Sequence, residues 1–217
     1  MKILVIVPCY NAGKFIADTI ADIKRYQGNI LVIDDGSTDN SYGVIKKIKG
    51  IKILRHKHNK GKGAALKTGF KHAVKNNFDA VITIDADGQH KASDIPKFVD
   101  KISRFDIIVG SRMHNVRNMP LRRILANSLS SFIVSRKCRQ KVPDSQSGYR
   151  LIKKDVIKDV KPEQDGYQFE TEMLLKAAKL GYRIGWVPIK TIYGEEVSHI
   201  NPFKITWRFI RVIFAGK

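Results

Sequence analysis

Apolar runs of strand length alternate with segments of helical spacing through the first half of the chain, and this rhythm restricts the fold more than any other feature. Residues 2–7, 30–33, 51–54, 80–84 and 106–109 read as strands. Between them Phe15, Ile16, Ile20 and Ile23, then Val44, Ile45 and Ile48, recur at helical spacing, and residues 64–74 and 95–102 continue the series. Strands that are apolar without alternation are covered on both faces. The β-α-β-α order therefore predicts an α/β fold, a Rossmann-like doubly wound, mostly parallel sheet with helices on both faces and right-handed crossovers. The second half is less regular. Leu121, Ile124, Leu125, Leu129, Phe132 and Ile133 form an apolar stripe beside Arg122 and Arg123. Residues 169–180 read as a helix stopped by Gly181, and 182–189 as a strand carrying Pro188 near its end.

A chain of 217 residues with 43% hydrophobic content fits one large domain, or a domain with a small appendage, and is not disordered. Cys9 and Cys138 stand far apart, which excludes a disulfide framework and fits a reducing interior. Cys9 reads as a small buried residue rather than a nucleophile. The run 3–7 is too short for a secretory signal and meets Pro8, and no stretch of about 20 apolar residues is present to span a bilayer. A cytoplasmic protein is expected. The net charge of +20, from 40 basic and 20 acidic residues, points to an anionic partner: nucleic acid, a phospholipid surface or a phosphorylated substrate. The excess is uneven. Residues 112–141 carry eight Lys/Arg and no acid, and residues 197–217 carry four and again no acid, which marks one or two binding faces.

Chemistry concentrates where strands end. Asp85-Ala86-Asp87-Gly88-Gln89-His90 follows directly on the run 80–84. Two carboxylates at i and i+2 project to the same side and repel, and a hard divalent cation, Mg²⁺ or Mn²⁺, resolves the conflict. Ligands of open α/β sheets sit at the C-terminal ends of the strands, so the reading is a metal–diphosphate site, against a solvated Asp/Gly turn. Pro8-Cys9-Tyr10-Asn11 ends the first strand and Asp34-Asp35-Gly36-Ser37-Thr38-Asp39 the second, where a carboxylate can accept from a base or a ribose. Ser37 or Asp39 is expected to cap a helix. Lys60-Gly61-Lys62-Gly63 joins a Gly-rich backbone to a helix start, an anion-binding arrangement without the P-loop spacing.

These motifs, together with Gly110-Ser111-Arg112 and Asp144-Ser145-Gln146-Ser147-Gly148-Tyr149-Arg150, occur in an order that resembles family 2 glycosyltransferases of the GT-A fold. Within them the chain is most similar to the dolichol- and polyprenol-phosphate mannosyltransferase branch, over residues 1–200. The resemblance implies a GT-A catalytic domain at 1–200 and a nucleoside diphosphate sugar bound by Pro8, Tyr10, Val32, Asp34, Asp35, Lys62, Asp85 and Ala86. It implies a divalent metal on Asp85, Asp87 and Gln89, and a lipid phosphate on Arg112, Arg123 and Asn127. Ala12 stands where relatives often carry Glu, Asn127 where a Ser is often found, and Thr191, beside Lys190, where a further Arg is found.

A phosphate acceptor is already a nucleophile at neutral pH, so positioning and charge neutralisation carry the catalysis. A hydroxyl acceptor, as in polysaccharide or glycolipid synthesis, needs a base, for which Asp144, Glu170 and Glu172 are the candidates. Acids at a helix start also simply stabilise the dipole. With Asp87 on the metal, the catalytic set is Asp87, Asp144 and Glu170. The expected function is inverting transfer of a mannose- or glucose-like hexosyl group to a polyprenyl or dolichyl phosphate at the cytoplasmic membrane face. Nucleic acid is not an expected partner, because a basic nucleic-acid-binding protein using residues 112–141 leaves the acidic motifs unexplained. The aromatic, basic segment 201–217 reads either as an interfacial helix or as a helix packed on the core. It is too short to cross a membrane, which leaves room for a separate membrane-spanning partner.

Overall fold

The computed structural model describes residues 1–190 except 115, 117 and 118. The Arg122 side chain, Arg117, Thr191 and the aromatic tail therefore lie outside the described residues.

Seven strands form one sheet: β1 (Ile3–Cys9), β2 (Ile30–Asp34), β3 (Lys52–Arg55), β4 (Ala80–Thr83), β5 (Ile107–Ser111), β6 (Arg150–Lys153) and β7 (Ile184–Pro188), in the order β3-β2-β1-β4-β6-β5-β7. All pairings are parallel except those of β6, which runs antiparallel to both β4 and β5. The expected α/β architecture is therefore present with one inserted strand. Periodicity does not announce β6, because Leu151 and Ile152 are only two apolar residues between cations. Both are buried all the same.

The helices are α1 (Ile16–Lys24), α2 (Ser41–Lys46), α3 (Lys62–Lys75), α4 (Ile95–Val99), α5 (Leu121–Cys138), α6 (Lys154–Asp159) and α7 (Phe169–Lys179). Strand alternation divides the core. Leu4, Ile6, Leu31 and Ile33 pack with Leu66 and Phe70 of α3 and Phe169 and Met173 of α7. Ile3, Val5, Val7 and Val32 face the other way, against Ile16, Ile20 and Ile23 of α1 and Phe98 of α4. Gly181 closes α7 at φ +83, as expected of a glycine beyond a helix end. Neither Ser37 nor Asp39 takes the N-cap position of α2, which is Asn40. The Asp39 carboxylate instead accepts from Ser41 N at 2.9 Å and from Gly13 N at 3.1 Å, while Ser37 Oγ accepts from Asn11 N at 3.1 Å. The two residues thus lace the β1 and β2 exits together.

Helix α5 departs from the usual arrangement. Its buried positions are Asn127, Ser130, Ser131, Val134 and Cys138, mostly small and polar. Its apolar stripe points outward: Leu121 is 70%, Leu125 63%, Leu129 63% and Phe132 64% exposed.

Candidate active site

The exits of β1, β2 and β4 lie side by side because these strands are neighbours in the sheet. At the β1 exit Tyr10 stands exposed, while Cys9 beneath it is buried, and burial pushes its thiol up to about 12. The thiol is therefore not a thiolate at neutral pH. Val32 is fully buried in the core under Val5 and Val7, so the strand backbone rather than this side chain faces the exit.

The two carboxylates after β2 are both engaged. Asp34, fully buried, pairs with Arg55 Nε at 2.8 Å and accepts from Ser37 N at 3.2 Å. Asp35 accepts from Lys60 N at 3.0 Å and Gly61 N at 2.8 Å, and its Oδ1 lies 2.6 Å from His56 Nδ1. His56 Nε2 in turn lies 2.9 Å from Thr68 Oγ1 of α3. Asp35 thereby fixes the Gly-rich loop and the start of α3. The glycines of that loop serve close packing: a Cβ on Gly61, whose φ is +100, would come within 2.4 Å of the Asp165 carbonyl oxygen. On Gly63 it would come within 2.7 Å of the Gln164 carbonyl oxygen.

Beyond β4 the chain turns at Gly88, at φ +74, and Asp87 Oδ1 accepts from Gln89 N at 3.0 Å. Ala86 is buried in the core beside them. Lys62, the first residue of α3, reaches into this turn: its Nζ lies 2.6 Å from Asp85 Oδ1 and 2.8 Å from Glu170 Oε1 on α7. Burial opposes the Lys62 charge, but the two carboxylates outweigh it and keep the amine protonated. Burial likewise opposes ionisation of Asp85, and Lys62, supported by Arg112, holds its carboxyl below the usual range. Glu170 Oε2 is buried with no hydrogen-bond partner among the described residues. His90 is neutral, pushed down to about 4 by burial, with Arg112 and Lys62 adding to the effect against Asp85.

Among the described residues no three His, Cys, Asp or Glu side chains stand together as a metal cluster. The donor set nevertheless fits Mg²⁺ or Mn²⁺, which take one or two carboxylates and complete their shell with substrate phosphates and water. Asp85 and Asp87 with the Gln89 amide supply hard oxygens in that proportion. The 144–148 loop lies close over this carboxylate: a Cβ on Gly148 would stand 2.6 Å from Asp85 Oδ2 and 2.6 Å from Lys62 Nζ.

That loop also builds the far wall. Asp144 is fully buried, and its two oxygens accept three N–H groups of Arg112: Nε at 2.8 Å, Nη2 at 2.9 Å and the backbone N at 3.0 Å. Ser145 N donates to Ser131 Oγ at 2.9 Å, and Gln146 Nε2 to Ser130 Oγ at 3.1 Å. The inner face of α5, where Asn127 is also buried, is thus tied to the loop, while Arg123 lies exposed on the same helix. Arg150 carries the loop from beneath. Its buried guanidinium donates to the carbonyls of Ser147 at 2.8 Å, Ser145 at 2.8 Å and Glu170 at 2.5 Å. Burial lowers its pKa to about 10. The sequence showed Arg150 as the end of the 144–150 motif without a role of its own, although a lone Arg opening a buried Leu-Ile pair was the available signal. Glu172, a candidate base, is committed elsewhere: its Oε2 accepts from Glu163 N at 3.0 Å and Gln164 N at 2.9 Å.

Sheet order and the strand-end carboxylates define a GT-A fold, a Rossmann-like sheet with its site at the strand exits. The glucosyl-3-phosphoglycerate synthase of Mycobacterium tuberculosis, crystallised with Mn²⁺, uridine diphosphate and phosphoglyceric acid, superposes with a TM-score of 0.74 at 19% identity, covering 99% of this chain and 76% of that one. Residues 4–161 match glycosyl transferase family 2, and the chain belongs to that family. An uncharacterized protein of Methanocaldococcus jannaschii is 38% identical over 225 residues, covering 96% of this chain and 91% of that protein. The UDP-N-acetylglucosamine–dolichyl-phosphate N-acetylglucosaminyltransferase of Methanococcus voltae is 36% identical over 237 residues, covering 96% and 94%.

Proposed function

We propose that the protein transfers a hexosyl group, mannose- or glucose-like, from a nucleoside diphosphate sugar to a polyprenyl or dolichyl phosphate at the cytoplasmic face of the cell membrane. The observation that carries this reading is α5. Its inner face, with Asn127, Ser130 and Ser131, borders the site, and its outer face presents Leu121, Leu125, Leu129 and Phe132 to solvent. At its end a groove of about 640 Å³ is lined by Phe132, Ser135, Arg136, Arg139, Gln140 and Lys141. Apolar surface flanked by cations is the chemistry of an element that lies among anionic headgroups. No helix among the described residues is long and apolar enough to cross a membrane, so association through such a face is the mode this reading requires. The Methanococcus voltae relative, named for a dolichyl-phosphate acceptor, supports the same acceptor class.

In this reading the Tyr10 ring receives the base, Lys62 receives the diphosphate, and Asp85, Asp87 and Gln89 would hold a divalent cation. The cation supplies charge neutralisation for the departing diphosphate. Arg112, Arg123 and Asn127 hold the acceptor phosphate, with Asp144 fixing the Arg112 fork. A phosphate oxygen attacks the anomeric carbon from the side opposite the diphosphate. The new C–O bond forms as the old one breaks, inverting the configuration and releasing the nucleoside diphosphate. No proton need be removed, and this fits the carboxylates of the site: Asp144 is neutralised by Arg112 and Glu170 by Lys62, so neither is a free base.

The test supplies UDP-N-acetylglucosamine, UDP-glucose or GDP-mannose, radiolabelled in the sugar, with a short polyprenyl phosphate or the matching prenol. One donor should give label extractable into organic solvent with the phosphate and none with the alcohol. Equal product from the prenol would overturn the phosphate acceptor.

A further inference from the structure

The Lys62 ammonium and a divalent cation compete for Asp85. With Nζ 2.6 Å from Asp85 Oδ1, a cation bound to that oxygen at about 2.1 Å would sit roughly 4 Å from the ammonium. The site is partly buried, with Lys62 16% and Asp85 23% exposed in their side chains, so the repulsion between the two positive charges is only partly screened. Gly61 and Gly63 pack so closely on the 164–165 backbone that a Cβ at either would clash with it, so the flexible Lys62 stem is the part best placed to relieve the conflict. Glu170, 2.8 Å away on the other side, keeps the ammonium in the site when it leaves Asp85. A diphosphate is the remaining anion able to draw it, since lysine binds phosphate as a point charge.

We propose that Lys62 couples the cation to the donor: its ammonium guards Asp85, and a divalent cation gains this ligand fully only when a nucleoside diphosphate takes the ammonium over. This rests on the metal–diphosphate reading above and adds an order to it, with weak cation binding alone and tight binding beside the nucleotide. The alternative is an ion pair that stays closed with nucleotide bound; the ammonium would then repel the cation equally in both states, and the gain in cation affinity on adding nucleotide would not depend on Lys62.

Mn²⁺ titration followed by electron paramagnetic resonance, alone and with UDP or GDP, separates the two. Lys62→Met should bind Mn²⁺ alone about tenfold more tightly than the wild type, and the gain on adding nucleotide should shrink by a similar factor, within the range usual for coupled sites. Glu170→Gln leaves the ammonium to Asp85 alone and should weaken Mn²⁺ binding several-fold. Wild-type or weaker affinity in a folded Lys62→Met overturns the proposal. If near-ultraviolet circular dichroism shows that Lys62→Met is unfolded, Glu170→Gln decides, and unchanged affinity there overturns it. A wild-type protein that binds no Mn²⁺ with either nucleotide overturns the metal–diphosphate reading instead.

Discussion

Helices α3 and α5 both reach the site, α3 through Lys62 and α5 through the 144–148 loop, and they are built by opposite rules. In α3 the buried positions are Gly63, Ala65, Leu66, Gly69, Phe70 and Ala73, with Lys71 and Lys75 exposed, so the helix is held by the apolar core and wet on its back. In α5 the buried positions are Asn127, Ser130, Ser131, Val134 and Cys138, and the leucines and Phe132 look outward. Water alone does not favour the second arrangement, since each large apolar side chain left exposed forgoes about 1.5–3 kcal/mol of burial. In the proposed reading the α3 side takes the charged donor and the α5 side meets an apolar surface, while the inner polar residues of α5 hold the 144–148 loop.

The largest expected effect lies on the donor side. Asp87→Asn removes a carboxylate that no neighbour replaces, and donor turnover, followed by nucleoside diphosphate release, should fall about 10³-fold or more. Liposome association should not change. An equal loss of both would mean that the two sides are not independent, and the comparison would fail. Next comes the core of α3. Phe70→Ala should cost about 3–5 kcal/mol in urea unfolding, because it opens a cavity in the core beside Phe169.

The strand–helix rhythm was legible because its strands are buried on both faces and need unbroken apolar runs. Strand β6 and helix α6 were not, since a two-residue apolar pair and six helical residues fall below what periodicity registers. The strand-end motifs pointed to the strand exits, yet the sequence was silent on how the charges there pair. Asp34, Asp35 and Asp144 are as conspicuous as Asp85, and only the fold shows them engaged by Arg55, the Gly-rich loop and Arg112, and Asp85 by Lys62. The stripe on α5 was visible too. Its direction was not, because an outward apolar face and an inward one have the same period, and buried serines are identified only by what they touch.

A smaller effect is set by His90, buried behind the donor turn. Its folded pKa of about 4 lies below the ordinary 6.5, so below pH 6.5 the unfolded chain takes up a proton that the folded protein refuses. This stability is complete above pH 6.5 and is lost as pH falls toward 4, by about 3 kcal/mol at the bottom of that window. Urea unfolding in EDTA at pH 7 and pH 4.5 should show a steeper loss for the wild type than for His90→Gln. Parallel losses would mean that His90 protonates freely in the folded state. The α3 side would then be wetter than its burial indicates.

The smallest change in stability should come from the outer face of α5, and it is the one that decides what that face is for. Leu125→Gln and Phe132→Gln alter side chains that are mostly in water, so unfolding free energy should stay within about 0.5 kcal/mol. A polar residue at these positions even relieves exposed apolar surface. If the face meets a membrane, the same pair should strongly reduce co-sedimentation with anionic liposomes, and turnover of a long-chain polyprenyl phosphate in vesicles should fall with it. Turnover of a short, soluble prenyl phosphate should hold, because neither residue borders the loop that carries Arg112 and Asp144. Salt should weaken the liposome binding of the wild type, since Arg136, Arg139 and Lys141 at the end of the helix act through charges screened beyond about 8 Å at physiological ionic strength. Destabilisation by several kcal/mol would show instead that the stripe is covered within this chain, and α5 would then obey the same rule as α3.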